Sequence, residues 1–275
     1  MTTVALFGAG GKMGVRLSRN LAKTDFAVRH VEPSEQGQAR LKDAIGADCI
    51  DADVAIDGAE VVILAIPDTV IGKVAAAVVP KLAPGTIVVV LDAAAPFAGH
   101  LPERADITYF VTHPCHPPIF NDEATPEGRA DHFGGIAAQQ GVVSALMQGP
   151  DEHYEIGDRV ARAIYAPVAR TYRVTVEQMA YLEPGLSETV CASLLVVMRE
   201  AMDEVVKRGV PKDAARDFLL GHMNILGAVI FDEVEGVFSD ACNKAIEFGK
   251  PMLMRDDWKR VFEPEEIAAS IKRIT

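Results

Sequence analysis

The sequence predicts an α/β fold: a doubly wound parallel sheet followed by a small all-α C-terminal domain. Three observations carry this. Short apolar runs of strand length alternate with amphipathic helical runs as far as about Gln178. Such alternation builds a parallel sheet covered on both faces. A glycine-rich turn, "VALFGAGGKMG", joins the first strand to the first helix. Beyond Gln178 the strand signal disappears and long apolar helical runs take over. The expected division is residues 1–177 and residues 178–275.

Each element has its own signal. "TVALF" is a buried-strand run, and the helix after it repeats Met13, Leu17 and Leu21 at helical spacing, with Gly14 on the same side. "FAVRHVE" is the second strand. Ser34 to Ile45 reads as a helix, with Ser34 near its cap and Gly46 just past its end. "EVVILAI" is a strand stopped by Pro67, after which Asp68 caps a helix bearing Val70, Ile71, Val74 and Val78. "TIVVVLDAA", "DITYFVTHP", "GVVSALMQG" and "ARTYRVTVEQM" read as further strands, the last after a helix from about Asp151 to Tyr165. Asn121 to Gln140 is polar, contains glycine and has no clear period, so it reads as a long lid or substrate loop. A long helix then runs from Gly185 to Gly209, a second from Lys212 through a very apolar middle, and two shorter ones follow. Helices this apolar in so small a domain need a partner surface, which predicts a homodimer.

Composition narrows the function. The chain has 275 residues, 49% of them hydrophobic, and a formal net charge of -12. So acidic a surface repels nucleic acid and anionic membranes, but not a small anionic substrate held by a local field. Cys49, Cys115, Cys191 and Cys242 are scattered, with no Cys-x-x-Cys pair, so no disulfide framework is expected. The N-terminus opens directly on a strand, and the apolar region from Val74 to Leu91 is broken by Pro80, Lys81, Pro84 and Gly85. No transmembrane helix and no leader is expected, and the expected compartment is the reducing cytoplasm.

The glycine turn has the context of a dinucleotide site: strand, turn and helix follow at once. Its glycines fit Gly-x-x-Gly-x-x-Gly through Gly8, Gly11 and Gly14. Gly8 permits the tight turn, Gly10 and Gly11 let the backbone approach a pyrophosphate, and Gly14 lets the helix pack closely. Lys12 and Met13 open the helix whose N-terminal amides and dipole face the phosphates. Glu32 ends the second strand, where an acid accepts bonds from the adenosine ribose hydroxyls and repels the extra phosphate of NADP. NAD is therefore the expected cofactor of a Rossmann domain, although nearby Arg29 and Lys12 leave NADP open. Ala65, Pro67 and Asp68, after the next clear strand, should border the same cofactor.

"YFVTHPCHPPIFNDE" concentrates the remaining chemistry. A strand delivers His113, Cys115 and His116 among three prolines, which hold the loop stiff and extended. Histidine serves as acid, base or metal ligand near neutral pH. Local His-x-Cys-His spacing is no closed zinc site. One histidine is expected in the site and the other in support of the loop. "EPGLSETV" is the best source of a further ligand. Glu183, next to Pro184, is accounted for by the helix dipole. Glu188, followed by small residues on an otherwise apolar helix, is preferred as ligand or acid/base group.

A Rossmann domain followed by a helical domain that opens with a long helix resembles the 6-phosphogluconate dehydrogenase superfamily, which includes prephenate dehydrogenases and ketol-acid reductoisomerases. "THP" resembles the His-Pro of prephenate dehydrogenases, whereas "SETVCAS" stands where the hydroxyacid branch carries a lysine and an asparagine. Together "GAGGKMG", "THPCHPPIFNDE" and "EPGLSETV" resemble the D-apionate oxidoisomerase family over most of the chain. The resemblance implies NAD-dependent, metal-assisted oxidation of a branched hydroxy carboxylic acid such as D-apionate, coupled to a carbon shift, in sugar-acid catabolism. It implies His113 and Glu188 as ligands of a divalent metal, Zn or Mg, with His116 as reserve ligand or acid/base group. A metal-free dehydrogenase with His113 as sole acid/base stays open as the alternative.

Overall fold

A computed structural model describes residues 1–275. The chain divides into two compact units, Met1–Glu183 with Ala268–Thr275, and Pro184–Ile267.

The first unit is built on seven strands, β1 (Thr3–Phe7), β2 (Ala27–Val31), β3 (Val61–Leu64), β4 (Ile87–Val90), β5 (Thr108–Pro114), β6 (Gln140–Gln148) and β7 (Val168–Arg173). They form one sheet in the order β2-β1-β3-β4-β5-β6-β7. All neighbours are parallel except β5 and β6. The chain between these two carries no long crossover helix. It leaves and re-enters the sheet at the same edge, so β6 runs back along β5. Outside β2 a third strand is reduced to one parallel bridge, His30 with Cys49. The segment "ADCIDAD" is too polar to support more.

Helices α1 (Lys12–Leu21), α2 (Glu35–Ile45), α3 (Ala52–Ile56), α4 (Asp68–Val78) and α5 (Ala94–Phe97) return the chain between the first strands. The β5–β6 connection holds α6 (Pro126–Ala130), and α7 (His153–Ile164) crosses from β6 to β7. Both sheet faces are closed. Leu17, Leu21, Leu41, Val160 and Ile164 pack with Val4, Leu6 and Phe110 on one side. Ile71, Ala75 and Val78 pack with Ala5, Val62 and Val88 on the other. Each such fully buried aliphatic side chain contributes about 1.5–3 kcal/mol relative to exposure. That is why the near-continuous apolar strands had to be central.

The helix ends follow local chemistry. Ser34 caps α2 by accepting from Gly37 N at 3.1 Å, and Gly46 closes it at φ 73°. Asp68 is not the cap of α4 as expected: Pro67 occupies that place, and Asp68 is the first helical residue, where its charge suits the dipole. The last strand stops at Arg173, because Thr175 and Gln178 form a capping box that starts α8 (Val176–Ala180).

In the second unit the expected long helix is divided. Tyr181–Ala192 is π-wound with Pro184 inside, and α9 (Ser193–Lys207) continues as an ordinary helix. Proline has no N–H to give the α-helical ladder, and the wider winding accommodates the loss. Helices α10 (Lys212–Ile230) and α11 (Asp240–Leu253) follow, and α12 (Pro264–Ile274) begins in this unit and belongs to the first from Ala268 on. No helix is long and apolar enough to cross a membrane.

Candidate active site

The glycine turn sits at the carboxyl end of β1. Gly8 is left-handed at φ 75°, and a Cβ there would lie 2.2 Å from the Ala65 carbonyl oxygen. A Cβ on Gly14 would lie 2.0 Å from the Gly8 oxygen. Only hydrogen fits at either place, so the turn, α1 and the end of β3 close tightly on one another. Gly11 precedes α1, and no side chain caps that helix. Glu32 orients the turn directly: one carboxylate oxygen accepts from Gly10 N at 3.1 Å, the other from Ser34 N at 3.0 Å and Ser34 Oγ at 2.7 Å. A cavity of about 380 Å³ opens beside Glu32, lined also by Pro33, Gln38, Ile50 and Asp51. Amides at the start of α1, a fixed acid at the end of β2 and the adjoining cavity fit a dinucleotide.

Asp92 follows β4, and His113 stands near the end of its neighbour β5, at the same sheet edge. His113 Nε2 lies 3.9 Å from Asp92 Oδ2 and 3.8 Å from Glu183 Oε1, all three side chains half-buried. Their ligating atoms all lie within 4.8 Å of one another. These separations are too long for hydrogen bonds. They suit atoms arrayed around one cation at bond lengths of about 2.0–2.6 Å. The second oxygen of Asp92 accepts from Ala94 N at 2.6 Å, which holds the carboxylate in place. The donor set therefore fits a divalent metal.

A buried polar chain holds Thr112, the residue before His113. Tyr165 OH donates to the Thr112 carbonyl at 3.3 Å, and Thr112 Oγ1 meets Ser144 Oγ at 2.9 Å. Complete burial and the nearby Asp92 charge push the Tyr165 phenol far above its ordinary range, so it stays a neutral donor.

His116 is left-handed at φ 60°. Its Nδ1 lies 2.8 Å from the Phe133 carbonyl, and its ring meets that of His113 edge-on at 5.8 Å. A carbonyl can only accept, so Nδ1 carries the proton and Nε2 of the neutral ring is the basic nitrogen. Phe133 belongs to the loop organised by Asp131, whose carboxylate accepts from the amides of Gly134, Ile136, Ala137 and Ala138 at 2.9–3.2 Å. Burial raises the Asp131 pKa, but the four amides outweigh it and hold the carboxyl below its usual range.

The sequence-selected residues thus separate into groups. Gly8, Gly10, Gly11, Lys12, Met13, Gly14 and Glu32 gather around the turn, with Ala65, Pro67 and Asp68 beside it after β3. His113 and His116 are neighbours. The carboxylates that accompany His113 are Asp92 and Glu183, which sequence reasoning did not select. Glu188, preferred as ligand from the sequence, is exposed and lies in the second unit. Asp92 has a signal in "VVVLDAA", an acid at the carboxyl end of a buried strand, whereas the helix dipole accounts for Glu183 in the sequence. Arg129 donates to the carbonyls of Glu123 and Ala124, so it serves the loop.

Residues 121–275 match the family model for the C-terminal part of phosphogluconate dehydrogenase (decarboxylating), and residues 3–96 match that for coenzyme F420-dependent NADP oxidoreductase. A D-apionate oxidoisomerase of Rhizobium rhizogenes is 72% identical over 275 residues, 100% of both chains. The chain belongs to the D-apionate oxidoisomerase family. A more distant D-apionate oxidoisomerase, from Blautia hydrogenotrophica, is 44% identical over 266 residues, 95% of this chain and 92% of that one. Membership makes the chain an oxidoreductase. A crystal structure of a semialdehyde dehydrogenase NAD-binding protein from Cupriavidus necator, in complex with calcium and NAD, superimposes with a TM-score of 0.99 at 69% identity, covering 100% of both chains. An NADH-preferring ketol-acid reductoisomerase from an uncultured archaeon shares the fold at a TM-score of 0.70 and 18% identity, over 99% of this chain and 82% of that one.

Proposed function

We propose that this oxidoisomerase-family chain oxidises D-apionate, or a closely similar branched hydroxy carboxylic acid, with NAD and a divalent metal, and that it serves sugar-acid catabolism in the cytoplasm. The observation that carries the reading is the Asp92, His113 and Glu183 cluster at the sheet edge that also bears the glycine turn. The family name of its relatives supports the substrate, and the calcium and NAD of the Cupriavidus necator protein support the two cofactors. Residues 1–177 take the nucleotide-binding role, and the helices of 178–275 take substrate binding and dimerisation.

NAD would supply the hydride acceptor, and a divalent cation such as Mg or Zn would supply Lewis acidity toward the substrate oxygen that becomes the carbonyl. The residues do the rest. Glu32 receives the adenosine ribose hydroxyls, and its charge disfavours a 2′-phosphate. The α1 amides from Gly11 to Met13 receive the pyrophosphate. Asp92, His113 and Glu183 hold the cation. His116 accepts the substrate's hydroxyl proton at Nε2 as the carbon gives up its hydride. Ala65, Pro67 and Asp68 border the cofactor, and Glu188 is a second acid/base group for the substrate.

The test follows NADH absorbance from NAD and D-apionate with Mg, with Zn and then with a chelator. Turnover abolished by the chelator and restored by metal is the expected outcome. Turnover untouched by the chelator would remove the metal from the mechanism.

A further inference from the structure

The molecule carries a second concentration of chemistry outside the cluster at His113. Between α1 and α2 lies a groove of about 700 Å³ lined by Lys12, Arg16, Arg19 and Arg40, with Asp43 as its lone acid and Phe133 at its rim. The chain has 39 acidic side chains against 27 lysines and arginines. Its surface arginines elsewhere are largely neutralised: Arg104 by Asp106, Arg162 by Asp158, Arg199 by Asp203 and Arg208 by Glu204. In the groove the pattern reverses. None of the four cations forms an ion pair, and Asp43 pairs with none of them.

Two of the four are also held in position. Arg40 Nε donates to the Gly10 carbonyl at 2.9 Å, which leaves its remaining N–H groups for a ligand. Arg16 lies over the Phe133 ring, 4.2 Å from its centroid. A stacked guanidinium keeps its edge free for hydrogen bonding. Cations gathered along one groove repel one another, and a bound anion relieves that repulsion.

We infer that this groove is an anion site for a phosphate or pyrophosphate group, free or carried on a larger molecule, distinct from the proposed dinucleotide site whose edge it shares at Gly11, Lys12 and Met13. Guanidinium forks match phosphate oxygens in pairs, and the Phe133 ring is already covered by Arg16 and contacted by His116. The groove therefore reads the phosphate rather than a stacked base.

The experiment titrates inorganic pyrophosphate, and in a second arm ADP, into the full-length protein saturated with NAD, by isothermal titration calorimetry. Saturable binding that weakens as salt rises is expected, with at least a tenfold loss of affinity in Arg19→Ala and in Arg16→Ala. Arg19 is exposed, so Arg19→Ala keeps the test valid if Arg16→Ala disturbs Phe133. Equal affinity for the two probes assigns the free anion; tighter ADP binding assigns a carried phosphate. Absence of binding, identical affinity in both variants, or competition by NAD would overturn the inference. Competition would assign the cations to the cofactor's own phosphates. NAD affinity and NADH formation, measured on the same Arg19→Ala sample, stay unchanged and so report separately on the oxidoreductase reading.

Discussion

Glu183 and Glu188 lie on one π-wound stretch yet have different surroundings. Glu183 is half-buried with an oxygen 3.8 Å from His113 Nε2, whereas Glu188 is exposed in the second unit. Glu183→Gln keeps the shape and removes the charge. It should weaken divalent-metal affinity by at least ~10–100-fold, the loss that even outer-shell changes at metal sites produce. Glu188→Gln should leave metal affinity within about twofold while lowering turnover, on the roles proposed here. Metal titration by calorimetry separates the two, and an unchanged affinity in Glu183→Gln would remove that residue from the metal site. Glu32 makes a second residue-scale prediction. Its carboxylate holds both Gly10 N and Ser34, so Glu32→Ser should weaken NAD binding about tenfold, roughly 1.4 kcal/mol, and narrow the preference over NADP. Kd values for both nucleotides check it.

Elements are joined by close approaches that tolerate little. A methyl on Gly14 would meet the Gly8 oxygen at 2.0 Å, and backbone cannot step aside as a flexible side chain can. Gly14→Ala should force α1 away from the turn, cost about 1–3 kcal/mol and lower the thermal midpoint, with NAD affinity falling as well. A midpoint and affinity equal to the parent's would contradict the packing. Strand β2 makes a pH prediction. His30 is buried, its Nε2 has no hydrogen-bond partner, and burial pulls the imidazole below its ordinary 6.5. Below pH 6.5 the unfolded chain binds a proton that the folded chain refuses. Stability therefore falls as pH drops below that value, and stops falling on this account once the folded imidazole also protonates. His30→Phe should flatten thermal stability across that acidic window, and a pH series of melting curves reads it out.

At the scale of the molecule, the second unit carries apolar surface it does not bury. Helices α9 and α11 have no buried residue. Phe248, Met252 and Leu253 are 76%, 72% and 74% exposed, and Val196 and Phe218 are also exposed. Apolar surface on this scale marks an interaction face. A second copy is the proposed cover, since homo-oligomers close on self-complementary patches. Sedimentation analysis should give a dimer for the parent chain, and Phe248→Glu with Leu253→Glu should shift it towards monomer. A monomeric parent at micromolar concentration would refute the proposal. The four cysteines form no disulfide within the chain.

Much of this was legible along the chain, because periodicity, glycine spacing and caps are local. β1, the glycine turn and α1 lie in consecutive residues, as do Ser34, α2 and Gly46, and Glu32 is placed by the strand it ends. These positions are specified by steric demands and hydrogen bonds within a few residues. The direction of β6 was decided by where the long connection re-enters the sheet, which no local pattern encodes. The π winding was decided by a proline inside an otherwise helical run. The metal cluster depended most on tertiary structure. Asp92, His113 and Glu183 come from three separate segments, each bland or ambiguous alone, and only two neighbouring strand ends and the start of the π-wound stretch together bring their ligating atoms within 4.8 Å. The sequence by itself determined the scaffold and the place for a dinucleotide. Which carboxylates face the histidine was left to the tertiary fold, because ligation depends on distances through space and the chain records only distances along itself.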